Sequence, residues 1–565
     1  MQANRLLKDG DYRDIRDMLE RLNSMMPEQK ILAGLDSDRN IFNYTAHDFY
    51  EETMNLGDGL IARGLRGKHI AIVSENSCRY VVVDTCVSSG VGVVTPIDVE
   101  APCELTETLL RKCDAQAAFC SAHSVGKLEE VRRNYPELEV LITMDRKVEG
   151  YPFYDEIVAE GAALAGNSVY RHIKLDPDAP AKILFTSGTT GPNKGVVLSN
   201  GNLAANIVNC MDVIMAQEGN TSMSILPMHH ATEINTHVMT RIACGRLTYI
   251  NDSIRNMMTN IKIFQPNIIT IVPIIANSFY KAIWANAEKA GKAEKLRKGI
   301  KICNMLRKVG VDRTHELFAD VYAPFGGKLN MIVCGGAMLN PTVVKGMNDL
   351  GIRMENGYGI TECGPLISMN AETLEEYRSV GRPCPNLEVR IANPDESGVG
   401  ELCVRGKSVS KGYYKDAEAT AKVFGKDGFF NTGDSAYIDD RGRLILVGRK
   451  KNAIILESGK NICPEEVENI LETKLPYADD IVVYQAEYND NRKVLVAGVY
   501  VRDEAKRADR DGIKTDIETA NRHLASYKRI DYVELPSQEY PKSSTKKIKR
   551  TGLPDTCSGE GIKIA

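Results

Sequence analysis

The sequence contains no CxxC pair. Its 14 cysteines are dispersed, and the closest two, Cys113 and Cys120, stand seven positions apart. That spacing excludes a zinc ribbon or a thioredoxin-like redox motif and leaves the thiols as small buried hydrophobes. Long apolar runs are also missing. Stretches such as "YVVVDTCVSSGVGVV" are broken by Asp84 and small polar residues, well short of the roughly 20 apolar residues that a membrane span needs. There is no excess of charge: 71 Lys plus Arg stand against 75 Asp plus Glu, a net charge of −4, which argues against a general nucleic-acid binder. No internal repeat or low-complexity tract occurs. In place of an apolar signal core, the amino-terminal stretch carries Ile15, Met18, Leu19 and Leu22 at helical spacing, the mark of an amphipathic helix. These absences together predict a reduced, soluble, cytoplasmic protein with no nucleic-acid partner and no transmembrane segment, and they remain compatible with peripheral membrane contact.

With 565 residues, the chain exceeds what one core organises, so at least two domains are expected. At 43% hydrophobic and 26% charged, it has the composition of an ordinary globular protein. Short β-rich runs recur between helix-like segments: "HIAIV" (69–73), "VGVVTPI" (91–97), "LEVLIT" (138–143), "KILFTS" (182–187), "NIITIVP" (267–273) and "LNMIVCGG" (329–336). This alternation predicts parallel sheets covered by helices, with ligands beyond the carboxyl ends of the strands. Residues 285–320 read as exposed helix, and "IANPDESGVGE" (391–401) as a polar hairpin connection. A smaller αβ region follows from about Lys451. The predicted fold is α/β: a large domain over 1–450 with mainly parallel sheets, and a small mobile α+β domain over 451–565.

"LFTSGTTGPNKGVVLS" (184–199) leaves a strand, passes through small residues from Thr186 to Gly191, and reaches Lys194. Glycines let backbone N–H groups approach phosphate oxygens, hydroxyls add hydrogen bonds, and a lysine supplies charge. A flexible linker would not be bracketed by the apolar runs "KILF" and "VVL". The Walker pattern fails, because Gly188 and Gly191 are wrongly spaced and Lys194 is followed by Gly195 rather than a hydroxyl. A P-loop kinase or ATPase is thereby disfavoured.

Other short motifs follow in order: "MIVCGGAML" (331–339), "NGYGITE" (356–362), "NTGD" (431–434), "VGRKKNAII" (447–455) and "PKSSTKKIKR" (541–550). Together with "TSGTTGPNKG", this series resembles the signature motifs of the adenylate-forming (AMP-binding) superfamily, which contains acyl-CoA synthetases and nonribosomal peptide adenylation domains. Two positions depart from the pattern: Asn193 stands for a proline and Lys546 for the glycine before the terminal lysine. "LPMHHATEI" (226–234) resembles a segment of long-chain acyl-CoA synthetases, aligned on His230 and Glu233. Its His229, His230 and Glu233 also raise a metal site as the less favoured reading. The Lys-rich stretch at 285–320 resembles an insertion of the same long-chain group.

The resemblance implies a carboxylate attacking the α-phosphate of ATP, with AMP and pyrophosphate released and a thioester formed with CoA. Charge is the main obstacle, because a negative nucleophile approaches a negative phosphate. It further implies that Thr186, Ser187, Gly188, Thr189, Thr190 and Lys194 hold phosphates, that Thr361 contacts phosphate and that Glu362 holds Mg2+. Gly335, Gly336 and Ala337, with Asn356, Gly357, Tyr358 and Gly359, would form the adenine side. Asp434 and Arg449 would take the ribose, and His230 would lie near the substrate carboxylate. Lys451 matches the hinge between two domain orientations, and Gly459 belongs to the loop used in the thioester step. The tail "PKSSTKKIKR" on its own reads as a solvated charge run; aligned with the family motif, it places the catalytic lysine at Lys547. The resulting expectation is an acyl-CoA synthetase for a medium- or long-chain fatty acid, using ATP, Mg2+ and CoA. The alternatives are a fatty-acyl-AMP ligase delivering to a pantetheine carrier protein and a non-catalytic nucleotide-binding protein.

Overall fold

The computed structural model describes residues 11–186, 193–214, 221–336, 339–370, 379–456, 461–488, 492–542 and 548–564. All six runs read as strands from the sequence are strands. Four of them belong to a six-stranded sheet whose spatial order is Val140–Thr143, Ala117–Cys120, His69–Val73, Val93–Pro96, Pro180–Thr186 and Lys194–Ser199. The first five strands are mutually parallel, and the last pair is an antiparallel hairpin. The other two runs, Ile268–Ile271 and Met331–Gly335, lie side by side and parallel within a nine-stranded sheet, next to Arg353–Gly359. Burial on both faces explains why these strands are continuous apolar runs rather than alternating ones.

The amino-terminal amphipathic pattern forms the helix Ile15–Met25, whose Ile15, Met18, Leu19 and Leu22 are all buried. Asp14 caps it by accepting from the Asp17 amide at 2.8 Å. Arg16 is buried on the same helix. It donates to the Tyr170 and Ser89 carbonyls at 2.9 and 2.6 Å and lies over the Tyr170 ring, so the charge is satisfied by fixed dipoles. Residues 285–320 fall in the helices Pro273–Lys289, Ala293–Lys308, Thr314–Leu317 and Ala319–Tyr322, and much of this stretch is exposed. The polar connection at 391–401 joins Leu387–Ala392 to Gly400–Gly406 as an antiparallel hairpin, part of a four-stranded sheet with Phe430–Ile438 and Leu444–Arg449.

A smaller carboxyl-terminal sheet domain has the strands Asp480–Glu487, Lys493–Tyr500, Tyr532–Glu534 and Ile562–Lys563. The helices Pro464–Lys474 and Arg510–Asn521 cover it, with Val467, Leu471, Ile513 and Ile517 in a core separate from those of the large domain. Proline opens the first of these helices and Glu465 and Glu466 occupy its first turn, the arrangement that suits the positive end of a helix dipole.

One strand of the six-stranded sheet carries a charge that the apolar reading passed over. Lys182 and Asp84 form an ion pair at 2.7 Å, and both side chains are almost wholly buried. Lys182 also donates to Asn235 Oδ1 at 2.9 Å. The strand that leads into the glycine-rich loop is thereby tied to the segment Thr232–Val238.

Candidate active site

The hairpin Pro180–Thr186/Lys194–Ser199 sets Thr186 directly opposite Lys194. Ser187, Gly188, Thr189 and Thr190 lie outside the described residues. Lys194 holds its ammonium 4.9 Å from the centre of the Tyr413 ring, a cation–π contact that aims an otherwise floppy side chain. The departure at Asn193 has a local role, since its carbonyl accepts from Lys112 at 3.1 Å.

Tyr413 joins that lysine to Glu362. The Tyr413 hydroxyl donates to Glu362 Oε1 at 2.7 Å. Glu362 sits with Thr361 on a short 3-10 turn at the end of "NGYGITE" and is buried, while its Oε2 has no hydrogen-bond partner. An orphaned carboxylate oxygen inside a protein is costly unless a cation or donor arrives with the ligand. It therefore fits a magnesium held by one carboxylate plus substrate phosphates, the usual manner for that ion. Among the described residues no cluster of three or more His, Cys, Asp or Glu could hold a metal alone.

The "NTGD" turn works through Gly433, whose φ of 70° lies in the left-handed region. The turn directs Asp434 toward Arg449 on the neighbouring strand, its register partner. Arg449 Nε lies 2.7 Å from Asp434 Oδ1, and the Tyr358 hydroxyl donates to Oδ2 at 2.5 Å. Burial, and then the Asp434 charge, push the Tyr358 hydroxyl well above its ordinary range, so it stays a donor. Strand register also sets Gly335 beside Gly357 and Cys334 beside Asn356. A Cβ on Gly335 would come within 3.1 Å of the Gly357 carbonyl, so this corner is closely packed backbone. Ala337 lies outside the described residues.

Lys451 follows directly on this strand. Its ammonium is held below the ordinary lysine range, first by partial burial and then by Arg449 and Lys194. Lys194 of the glycine-rich hairpin, Arg449 beside the "NTGD" turn and Lys451 thus share one electropositive field, with Asp434 and Glu465 as countercharges, suited to an anionic polyphosphate.

Behind Gly335, Gly336 and Gly357–Gly359 opens a cleft of about 660 Å³ including its mouth. Its far wall is a segment of which the sequence reading reached only the start, Thr232 to Ile234 in "LPMHHATEI". Thr232–Val238 forms a π-helix that runs into the helix Met239–Ala243, and Thr232, Thr236, His237 and Arg241 line the cleft from it. Glu233 is fully buried and accepts from His237 Nδ1 at 2.9 Å. The histidine on the cleft is therefore His237. His230 is not among the lining residues; its ring packs on His229, centroids 4.1 Å apart. Burial lowers His229 to about 4, so it is neutral at pH 7.

The tail motif has a fixed base. Lys542 and Ile548 are bridged as antiparallel strand partners, and the Lys549 amide donates to the Pro541 carbonyl at 2.8 Å. Lys542 pairs with Asp480 at 2.8 Å, and Arg550 clasps both oxygens of Glu468 at 2.7 and 2.6 Å. Two of the five charges in "PKSSTKKIKR" are thus anchors, which a solvated tail would not have. Lys546 and Lys547 lie outside the described residues, as does Gly459.

A family model described as AMP-binding enzyme matches residues 26–414. The chain belongs to the AMP-binding enzyme family. Among the relatives of this family member, "Long chain acyl-CoA synthetase 7, peroxisomal" of Arabidopsis thaliana is 27% identical over 512 residues, covering 85% of this chain and 72% of the relative. "Long-chain-fatty-acid--[acyl-carrier-protein] ligase AEE15, chloroplastic" of the same plant is 27% identical, covering 83% and 74%. "Long-chain-fatty-acid--CoA ligase 6" of Homo sapiens is 27% identical, covering 79% and 68%. The fold matches that of the anthranilate CoA ligase AuaEII in complex with anthranoyl-AMP, with a TM-score of 0.77 at 17% identity, covering 95% of this chain and 96% of that one. It also matches ATP-bound MatB from Rhodopseudomonas palustris, with a TM-score of 0.73 at 20% identity, covering 95% and 97%. At those identities the likeness concerns the fold.

Proposed function

We propose that this AMP-binding enzyme is an AMP-forming acyl-CoA synthetase that activates a medium- or long-chain fatty acid. The observation that carries the reading is Glu362. Its buried, half-satisfied carboxylate stands beside Thr361 and is joined through Tyr413 to Lys194, so that it would hold a divalent cation arriving with the phosphates. The names of the relatives favour the acyl class.

In the first half-reaction the acid's carboxylate oxygen bonds to the α-phosphorus of ATP, the α–β phosphoanhydride breaks, and pyrophosphate leaves. Asp434, steered by Arg449 and Tyr358, accepts from the ribose hydroxyls. The backbone of Gly335–Ala337 and Asn356–Gly359 walls the adenine. Thr186, Ser187, Gly188, Thr189, Thr190, Thr361 and Lys194 donate to the phosphates, and Glu362 would hold Mg2+, which supplies charge neutralisation when bound. Lys547 brings a cation to the α-phosphate, and His230 stays on the approach of the carboxylate. The domains divide at 450/451, with Lys451 as pivot. In the second half-reaction the pantetheine thiolate attacks the acyl carbon, AMP departs, and Gly459 lets the chain pass close to the thiol.

The acceptor is CoA in this reading; a carrier protein is the second reading, favoured by the ligase named for acyl carrier protein. A cytoplasmic setting stays part of the proposal, although relatives carry peroxisomal and chloroplastic names. No helix among the described residues is long and apolar enough to cross a membrane. The test is release of AMP and pyrophosphate from ATP across a panel of fatty acids, with and without CoA. Acid-dependent AMP, with acyl-CoA on adding CoA, is expected; ADP and phosphate would overturn the mechanism, and adenylate formation with no use of CoA would transfer the assignment to the carrier-protein ligase.

A further inference from the structure

The cleft behind the nucleotide residues has the wrong far wall for a plain hydrocarbon. Thr232, Thr236, His237 and Arg241 reach it from the π-helix and the helix that continues it, and Thr270 reaches it from the strand Ile268–Ile271. His237 and Arg241 are each 5% exposed. Four residues apart on consecutive helical turns, they stand side by side. Glu233 takes the Nδ1 side of the imidazole at 2.9 Å, which leaves Nε2 turned away from it, buried and with no hydrogen-bond partner. A histidine kept only for packing would normally have both nitrogens met, because an unmet buried nitrogen forfeits the hydrogen bond it had in water. Arginine offers only donors. A chain of methylenes would lie against both groups and leave Nε2 of His237 unmet. The π-helix adds to this reading, since its wide turn is rare and recurs where side chains are re-aimed at functional sites.

We infer that the acyl group accepted here carries an oxygen substituent, a hydroxyl, carbonyl or second carboxyl, seated against His237 Nε2 and Arg241. The inference rests on the acyl-activating function proposed above and narrows its substrate class from fatty acids in general to oxygenated ones. A hydroxyl suits the pair in both directions, accepting from the guanidinium and donating to the imidazole nitrogen. A carbonyl or carboxylate takes the guanidinium and requires the imidazole to be protonated.

The experiment is a set of acids matched in carbon number, each as the unsubstituted, hydroxy, oxo and dicarboxylic form, assayed for acid-dependent pyrophosphate release and, separately, for direct binding by calorimetry in the presence of AMP. An oxygenated member is expected to exceed its unsubstituted partner by at least about tenfold in kcat/KM, because sites built to hydrogen-bond a substrate discriminate strongly against the analogue that lacks the group. Arg241→Leu and His237→Gln should each shrink that ratio toward one, whereas Arg241→Lys, which keeps a cationic donor, should retain most of it; thermal denaturation checks that each variant is folded. An unsubstituted acid that equals or exceeds every oxygenated partner, or a ratio unmoved by both Arg241→Leu and His237→Gln, overturns the inference. If no acid supports pyrophosphate release, the synthetase reading fails, and the calorimetric ranking still decides the cleft. Tighter binding of oxygenated acids supports the inference, and equal or weaker binding overturns it.

Discussion

The two walls of the cleft are built by different means. On the nucleotide side, which extends beyond the cleft, strand register places the groups: Asp434 opposite Arg449, Thr186 opposite Lys194, and Gly335 beside Gly357, the pair that lines the cleft itself. On the far wall, a π-helix places Thr232, Thr236 and His237, held by side-chain bonds such as that of Lys182 to Asn235 rather than by strand pairing. Register is shared by every member of a sheet and tolerates little change, while a helical wall can exchange side chains without disturbing its neighbours. In the function proposed above, the nucleotide side would serve the chemistry common to all substrates, and the far wall of the cleft the choice among them.

That contrast can be broken most directly where charge meets phosphate. Lys547→Ala is expected to slow adenylation by roughly a thousandfold, the value of one cation near 4 Å at an effective dielectric of about 20, while thioester formation from supplied acyl adenylate survives. Equal loss in both half-reactions, followed by stopped-flow, would end the assignment of Lys547 to the first step. Next in size, Glu362→Gln should cost about a hundredfold in kcat/KM and raise the magnesium needed for half-maximal rate. That cost should be the same for every acid; a loss that varies with the acid would erase the division between the walls. Asp434→Asn should raise the KM for ATP about tenfold, one hydrogen bond to a charged group, with kcat nearly unchanged because the ribose is bound alike in ground and transition states.

A separate expected effect, on stability rather than on rate, comes from His229. His229 is lowered to about 4 by burial, against about 6.5 in the unfolded chain. A histidine that stays neutral when folded binds fewer protons than its unfolded form between those values, so stability is full above pH 6.5 and falls as pH drops toward 4. The loss is about 3 kcal/mol at most. Urea melts of His229→Gln should show a flatter dependence across that window, whereas a slope equal to that of the unaltered protein would remove His229 as its source.

Much of the nucleotide side was legible in the sequence because its motifs are tight turns after strands, where residue type and backbone geometry are bound together. Gly433 with its positive φ is the plainest case. The six apolar strand runs were legible for a similar reason, since buried parallel strands need continuous hydrophobes. The far wall was not. The π-helix "TEINTHV" is too short to show a period, with only Ile234 and Val238 apolar, so His237 passed unnoticed while His230 drew attention by its motif. Arg16 and Lys182 were missed because a single charge inside an apolar pattern looks exposed until its partners, 73 and 98 positions away, are brought to it by the fold. Two charges of "PKSSTKKIKR" became anchors only through Asp480 and Glu468, which no local pattern connects to the tail.

The bond from Lys182 to Asn235 gives the far wall a further property. Asn235 lies on the same turn as His237, and Lys182 on the strand that leads to Thr186. To push that turn outward, an oversized or branched chain must strip a hydrogen bond from a buried ammonium, at a cost well above that of moving an apolar contact. The cleft accordingly behaves as a rigid gauge, and its acceptance of increasing bulk should end in a sharp cutoff instead of a slow decline.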